Sequence, residues 1–549
     1  MSTKNRDQGK STWNKPTVFY NEYVKWLVYG LIVAFFVWSF LEIQITFERF
    51  VYGINEGAAI VERGFPPDFG PGRREQILSD TLETVAMAIV ATVFGIIMSV
   101  PVAIMASRNL VPEPVFWVGR AIVACSRAFH VLIIAIIAVM AVGFGPLAGI
   151  ITMSIKTIGF FAKLLAEEIE DIDQTQFEAV KATGAGPFQV LTYGVLPQVA
   201  RRFVALTIYR WDINLRSSAI IGIVGAGGIG QLLINAFNRF EYDFGLAILM
   251  VIITLVLFGE VVSAVVRKRI ESSSGQGVEK TETAASTIDR EAWDRFTPRQ
   301  QTMRYGFAAF CGVIFVGSWF YLNMSLQYVW TGPAALADLA SRMYPPSTAI
   351  VPEMIGPLIT SIHIAILGTV FSIVLSVPVA FIAADKTTPN RFTYALGKVI
   401  ITVSRSVHEI IWALLFVIMF GPGALAGVLA LSVRSVGFIG KLLNEAIEEI
   451  DMTQVEAMKA TGAGTAKTFV YAIVPQVMPA FIGIATYRWD SNVRASTVVG
   501  FVGGGGIGVL LMDTINTFRW AEAVVILAAI LGIVLFSEVV SAYLRKKVM

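Results

Sequence analysis

The sequence predicts an all-α integral membrane protein of about twelve transmembrane helices, built as two parallel six-span repeats. Three observations predict it. Of 549 residues 55% are hydrophobic and only 15% charged, with a mean hydropathy of +0.67, whereas soluble domains carry about 25% charged residues. Apolar runs of roughly 20 residues recur along the chain, enough to cross a hydrocarbon core of about 30 Å. The chain also repeats itself. Phe177-Glu-Ala-Val-Lys-Ala-Thr-Gly-Ala-Gly186 returns as Val455-Glu-Ala-Met-Lys-Ala-Thr-Gly-Ala-Gly464, and Tyr209-Arg-Trp-Asp212 returns as Tyr487-Arg-Trp-Asp490. Gly225-Ala-Gly-Gly-Ile-Gly230 returns as Gly503-Gly-Gly-Gly-Ile-Gly508, each pair 278 residues apart by number (503 − 225). A repeat of this length governs the whole fold.

In chain order, the polar, basic stretch from Met1 to Pro16 precedes an apolar run, Trp26 to Leu41. That run is too long for a signal peptide and lacks a small-residue cleavage site, so it reads as a retained span. The first half places its spans near 26–46, 82–106, 115–140, 143–166, 198–222 and 244–266. The second places them near 304–325, 357–384, 395–419, 423–444, 476–500 and 521–543. The expected units are 1–270 and 301–549, joined by a solvated Ser/Thr/Glu/Gly-rich linker at 271–300. Cys125 and Cys311 show no metal or disulfide spacing and read as small core residues.

Basic residues flank the spans: Lys10, Lys15 and Lys25 before the first, Arg267-Lys-Arg269 after the sixth, Arg299 and Arg304 before the seventh, Arg545-Lys-Lys547 after the last. Positive charge gathers on the cytoplasmic side. An even span count per half puts all four groups and both termini there, with 48–80 and 326–355 outside. The repeats are then parallel rather than inverted, and a loop present in both halves acts twice on one side.

Between the fourth and fifth spans of each half lies a polar stretch, Glu167 to Pro197 and Glu445 to Pro475. It opens on an acidic cluster. Thr175 and Thr453, three residues before Glu178 and Glu456, have the spacing of a capping box. A short helix should follow, ending at Gly184 or Gly462. A polar re-entry loop is the plain reading. The spacing Glu-Ala-x-x-x-x-Gly, with a Pro thirteen residues after the Gly, resembles the EAA loop of ABC importer permeases. That resemblance implies a coupling helix docking on a separate ATPase, carried by Glu178, Ala179, Gly184 and Pro197 and by Glu456, Ala457, Gly462 and Pro475. Two departures stand out: Val180 or Met458 at the third position, and Gly194 or Ala472 ahead of the Pro.

The fifth spans carry Tyr209-Arg-Trp-Asp-Ile-Asn-Leu-Arg216 and Tyr487-Arg-Trp-Asp-Ser-Asn-Val-Arg494. Charges inside a membrane face a cavity or a partner. Asp212 with Arg216, and Asp490 with Arg494, are spaced to pair on one helix face. Arg210 and Arg488 have no acidic residue at pairing distance along the sequence. They are candidates for an anion pathway, the alternative being a structural salt bridge. Ser126-Arg-Ala-Phe-His130 and Ser404-Arg-Ser-Val-His408 add Arg127, His130, Arg405 and His408, with Glu409 in the second copy only, where the first has Val131. Arg and His should share one helix face there. The glycine run matches a dinucleotide fingerprint formally but lacks its strand and acidic partner. It reads as close backbone packing or a flexible segment near an outer gate.

The Ser404–Phe416 and Tyr487–Gly508 stretches resemble the phosphonate importer permeases. The resemblance spans both halves and implies the type I ABC importer (MetI-like) permease fold, with two permease units fused in one chain. It implies import of phosphonate or a related phosphorus oxyanion, and an extracytoplasmic binding protein. It also implies two copies of a cytoplasmic ABC ATPase that carry the ATP and magnesium. The chain itself, lacking a Walker lysine motif, should bind no cofactor and hydrolyse no ATP, and nothing points to nucleic acid. Rival readings are a permease for another solute such as methionine, an ATP-independent carrier, and a membrane oxidoreductase.

Overall fold

The computed structural model describes residues 22–43, 46–278, 298–324 and 327–548, folded into helices with no strand among them. Lys10, Lys15 and most of the expected linker lie outside the described residues; the linker's ends, 271–278 and 298–300, continue helices. The first half runs α1 (Glu22–Glu42), α2 (Phe47–Gly64), α3 (Pro71–Met105), α4 (Glu113–Ala128), α5 (Val131–Val142) and α6 (Pro146–Thr157). It continues as α7 (Lys163–Glu170), α8 (Gln174–Ala182), α9 (Pro187–Gln189), α10 (Leu196–Ile221), α11 (Ile229–Asn238) and α12 (Tyr242–Val278). The second runs α13 (Pro298–Tyr321), α14 (Gln327–Met343), α15 (Val351–Ala383), α16 (Arg391–Ser406), α17 (Glu409–Phe420) and α18 (Ala424–Glu448). It ends with α19 (Met452–Ala460), α20 (Thr465–Thr468), α21 (Val474–Val499), α22 (Ile507–Asn516) and α23 (Trp520–Val548).

Among the described residues eight helices are long and apolar enough to cross a membrane, or ten segments if two bent pairs each count as one span. The remaining two expected spans are α1 and α13, whose described apolar stretches, Val33–Glu42 and Ala309–Tyr321, are shorter.

The expected third span of each half is not one helix. α16 and α17 meet at 92°, and α4 and α5 turn at the matching place. Val407 and Phe129 adopt extended backbone, and His408 and His130 become N-caps of the next helix. Each imidazole Nδ1 accepts from a backbone N–H two residues on, Ile410 at 3.4 Å and Leu132 at 3.3 Å. Arg405 and His408 therefore lie on two different helices, as do Arg127 and His130, instead of sharing a face. Serine holds the bend. Ser404 Oγ accepts from Gly437 N at 2.7 Å, and Ser126 Oγ accepts from Gly159 N at 3.0 Å and donates to Ile155 O. A Cβ at Gly437 or Gly159 would strike that serine and the arginine beside it.

The halves interlock. α1 lies on α15 and α13 on α3, while α2 lies on α17 and α14 on α5. Lipid tails are as apolar as leucine, so such contacts rest on shape and close approach. Gly53 and Gly57 of α2 seat the side chains of Phe420 and Met419, where any Cβ would overlap them. Phe94 of α3 packs on Phe315 and Trp319 of α13, ring centroids 6.1 and 5.5 Å apart. The cysteines do not fill the core as expected: Cys125 and Cys311 are exposed, because α4 and α13 turn those positions outward from the bundle.

Candidate functional site: two loops and an interior charge cluster

The polar loops fold alike in both halves. α8 opens after Asp173 and α19 after Asp451, whose Oδ1 atoms accept from Thr175 N and Thr453 N at 2.9 Å. Aspartate is the cap, and the threonines expected in that role sit inside the first turn. A carboxylate accepts the orphan N–H and suits the positive helix end. Those donors, the N–H and hydroxyl of Thr453, hold the Asp451 carboxyl below its usual range. Gln198 and Gln476, each beside the loop's Pro, accept from Asp173 N and Asp451 N at 2.9 and 2.8 Å. The Pro that starts α10 or α21 is thus followed by the residue that fixes the short helix. Gly184 and Gly462 end α8 and α19 in left-handed backbone, φ +79°.

Phe177 and Val455 anchor the short helices in apolar clusters with Ile169 and Val199, and with Ile447 and Val477. The opposite face presents Glu178, Ala179 and Gly184, or Glu456, Ala457 and Gly462, all exposed, with Pro197 and Pro475 exposed beside them. The two departures from the EAA pattern meet in space. A Cβ on Gly194 would lie 3.7 Å from Val180 Cβ, so these positions tune an inner contact and leave the outer face unchanged. The acidic cluster braces the elbow. Glu170 pairs with Arg120 at 3.1 Å and Glu448 with Lys398 at 3.5 Å, the same pair 278 residues apart (398 − 120).

The fifth-span residues split into two groups. Arg210 and Arg488 are buried: Arg210 Nε donates to Thr157 Oγ1 at 2.9 Å and Arg488 Nε to Ser435 Oγ at 2.6 Å. The guanidinium groups lie over the rings of Phe160 and Phe438, 5.6 and 5.5 Å from the centroids. Asn214 Nδ2 donates to Thr92 Oγ1 and Asn492 Nδ2 to Thr369 Oγ1, each at 2.9 Å. These groups tie α10 to α3 and α6, and α21 to α15 and α18. The second group forms the expected ion pairs, Arg216 with Asp212 at 2.7 Å and Arg494 with Asp490 at 2.6 Å. Ser537 of α23 donates to the other oxygen of Asp490 at 2.8 Å.

The bends bring both halves together at mid-span. His130 lies within electrostatic reach of His408, Glu409, Lys156 and Arg494, and His408 within reach of Arg434, Arg216 and Arg488. Glu409 Oε2 sits 3.4 Å from His408 Nε2 and 3.5 Å from Arg434 Nε. Arg405 reaches Glu260 of the first half at 3.4 Å. Arg127 is exposed, though within electrostatic reach of Lys156. Further along α10 and α21, Ile220, Ile221 and Val498 join Leu132 and Ile410 in an apolar cluster shared by the halves.

The glycine run closes tightly in each half. Gly225, Gly227 and Gly228 have positive φ, and a Cβ on Gly228 would lie 2.5 Å from Thr84 Oγ1. Ile229 N donates to that oxygen at 2.8 Å, and Ile507 N donates to Ser361 Oγ at 2.8 Å. This is close backbone packing, the first of the two readings.

Residues 91–272 and 376–548 each match the family "Binding-protein-dependent transport system inner membrane component". The chain belongs to this family. It is similar to the phosphate-import permease protein PhnE of Mycolicibacterium smegmatis, 34% identical over 90% of both chains. It is also similar to the phosphite transport system permease protein PtxC of Stutzerimonas stutzeri, 40% identical over 43% of this chain and 86% of that one. The probable D-methionine permease MetI of Pasteurella multocida is 30% identical over 28% of this chain and 76% of its own.

As an ABC importer permease the chain is a multi-pass inner membrane component. It moves solute rather than acting as an enzyme, and it works with an ATPase and a substrate-binding protein. Sequence reading of this permease missed Lys156, Arg434, Glu260, Asn214 and Asn492. Lys156 and Arg434 carry one available signal: each is a basic residue in an apolar run, 278 apart by number (434 − 156). Their settings differ. Lys156 Nζ donates to the carbonyls of Ser126 and Phe129 at 3.0 and 2.7 Å, capping the end of α4; Arg434 faces Glu409.

Proposed function

We propose that this permease carries a phosphorus oxyanion (phosphonate, phosphite or phosphate) into the cell by alternating access. One observation carries the reading: the bends gather Lys156, Arg434, Arg216, Arg494 and two histidines at the inter-half interface, where Glu409, Asp212 and Asp490 each face one arginine and Lys156 faces no carboxylate. Such a cluster suits an anion crossing low-dielectric surroundings. The PhnE and PtxC names support the phosphorus class.

In this reading α8 and α19 are the coupling helices, acting through Glu178, Ala179, Gly184, Glu456, Ala457 and Gly462, with Pro197 and Pro475 at the hinge. Each docks one copy of the ATPase, where ATP and magnesium reside. Arg127, His130, Asp212, Arg216, Arg405, His408, Glu409, Asp490 and Arg494 line or shape the path. Arg210 and Arg488 hold its walls, given their hydroxyl and ring contacts. The units 1–270 and 301–549 are joined by a cytoplasmic linker, and both termini are cytoplasmic. The extracytoplasmic binding protein delivers the anion on the opposite side.

The test is ATP-driven uptake of radiolabelled phosphite in proteoliposomes holding permease, ATPase and binding protein. Competition by phosphate and methylphosphonate, and none by methionine, is expected. Competition by methionine alone would replace the substrate assignment.

A further inference from the structure

We propose that Glu409 is a built-in counter-anion, and that the translocated oxyanion takes its place between Arg434 and His408. The inference rests on the anion reading above and adds the residues that hold the anion in transit. Glu409, His408 and Arg434 are neither sealed nor free, with side chains 15–17% exposed. Their contacts are long. At 3.4 and 3.5 Å the carboxylate does not make the short, two-pronged bonds that Arg and carboxylate reach when they are each other's final partners. The buried Nε of Arg216 from the other half makes no hydrogen bond, and the buried Nε of Arg434 has only its long ion-pair contact to Glu409. Buried donors are ordinarily satisfied. Two guanidinium groups within electrostatic reach of each other from opposite halves, one with an unbonded Nε and one held only at long range, describe a place for a small polyoxyanion with more acceptor oxygens than one carboxylate brings.

The other half supplies the contrast. Val131 stands where Glu409 would be, and Lys156 is turned onto backbone carbonyls instead of an acid. Where the acid is absent the cation is engaged by the bend itself; where it is present the cation is held loosely by a group that can be displaced. Of the two repeat-related cations Lys156 and Arg434, only Arg434 thus faces a carboxylate, and that carboxylate is held by long contacts. That arrangement admits one anion at a time and lets the carboxylate return to expel it.

The test measures retention of radiolabelled inorganic phosphate and of sulfate on the purified permease–ATPase complex without binding protein, alongside ATP-driven phosphite uptake. Glu409→Gln keeps the shape and removes the charge. It should raise anion retention by at least about tenfold and slow uptake, since the competing charge is gone while the cations remain. Moving the charge, in Val131→Glu with Glu409→Val, should restore both towards wild type; a carboxylate that only caps α17 would not be replaced from the other half. Retention unchanged in an assembled Glu409→Gln complex, or uptake lost in an assembled double variant, would overturn the proposal. Should Glu409→Gln fail to assemble, the double variant decides alone. Raised retention of sulfate in Glu409→Gln, with no phosphite uptake by wild type, would keep the counter-anion and reject the phosphorus substrate. Phosphite uptake by wild type with no change in retention would do the reverse.

Discussion

Asn214 and Asn492 show what single residues contribute inside the bundle. Each joins a hydroxyl on α3 or α15 to the arginine-bearing span, in a setting without water to replace the bond. Asn214→Leu removes the donor to Thr92 Oγ1, which keeps only its own bond to Ala88 O, and removes the contact to Thr157. Losing one such hydrogen bond costs about 1 kcal/mol. A lower melting temperature of the purified complex is expected, with ATPase binding retained at low temperature. An unchanged melting temperature would remove these side chains from the packing scheme. The sequence makes Arg210, Asp212 and Arg216 conspicuous because their charges are costly in an apolar run. It cannot show that Arg210 ends on Thr157, 53 positions away, so Arg210 reads as an unpaired pathway cation until the helices are assembled.

At the scale of elements, caps and glycines set the shapes. Gly184 and Gly228 both have positive φ, but a Cβ at Gly184 meets open space and at Gly228 it meets Thr84. Gly184→Ala should cost about 1 kcal/mol, the left-handed backbone alone. Gly228→Ala adds the clash and the loss of the Ile229–Thr84 hydrogen bond, for about 3 kcal/mol in all. Comparing melting temperatures of the two variants checks this; equal losses would contradict it. The short helices α8 and α19 were legible because their spacing is local and occurs twice. The right-angled bends were not. Ser126–His130 and Ser404–His408 carry polar residues but no Pro or Gly to mark a break, and the turn is made by serine bonds to a helix 29 to 33 residues away.

At the scale of the molecule, the duplication makes one chain do the work of a pair, and among the described residues the halves are joined by exchanged helices. α1 and α2 rest on the second half, α13 and α14 on the first. Cutting the chain between 279 and 297 and co-expressing the pieces should give halves that co-purify and still support uptake. Pieces that separate in mild detergent would show that the connection carries the assembly. Parity of spans and repeat spacing made this two-fold plan visible in the sequence, whereas the exchange of helices needs contacts that no local pattern encodes. The most direct measurement of the account as a whole is ATPase binding to this permease with charge reversed on the exposed faces of α8 and α19. Native mass should show two ATPase copies on wild type, one on Glu178→Arg or Glu456→Arg, and none on the double variant, which still inserts in the membrane. Two copies retained on the double variant, with full ATP-driven uptake, would contradict it.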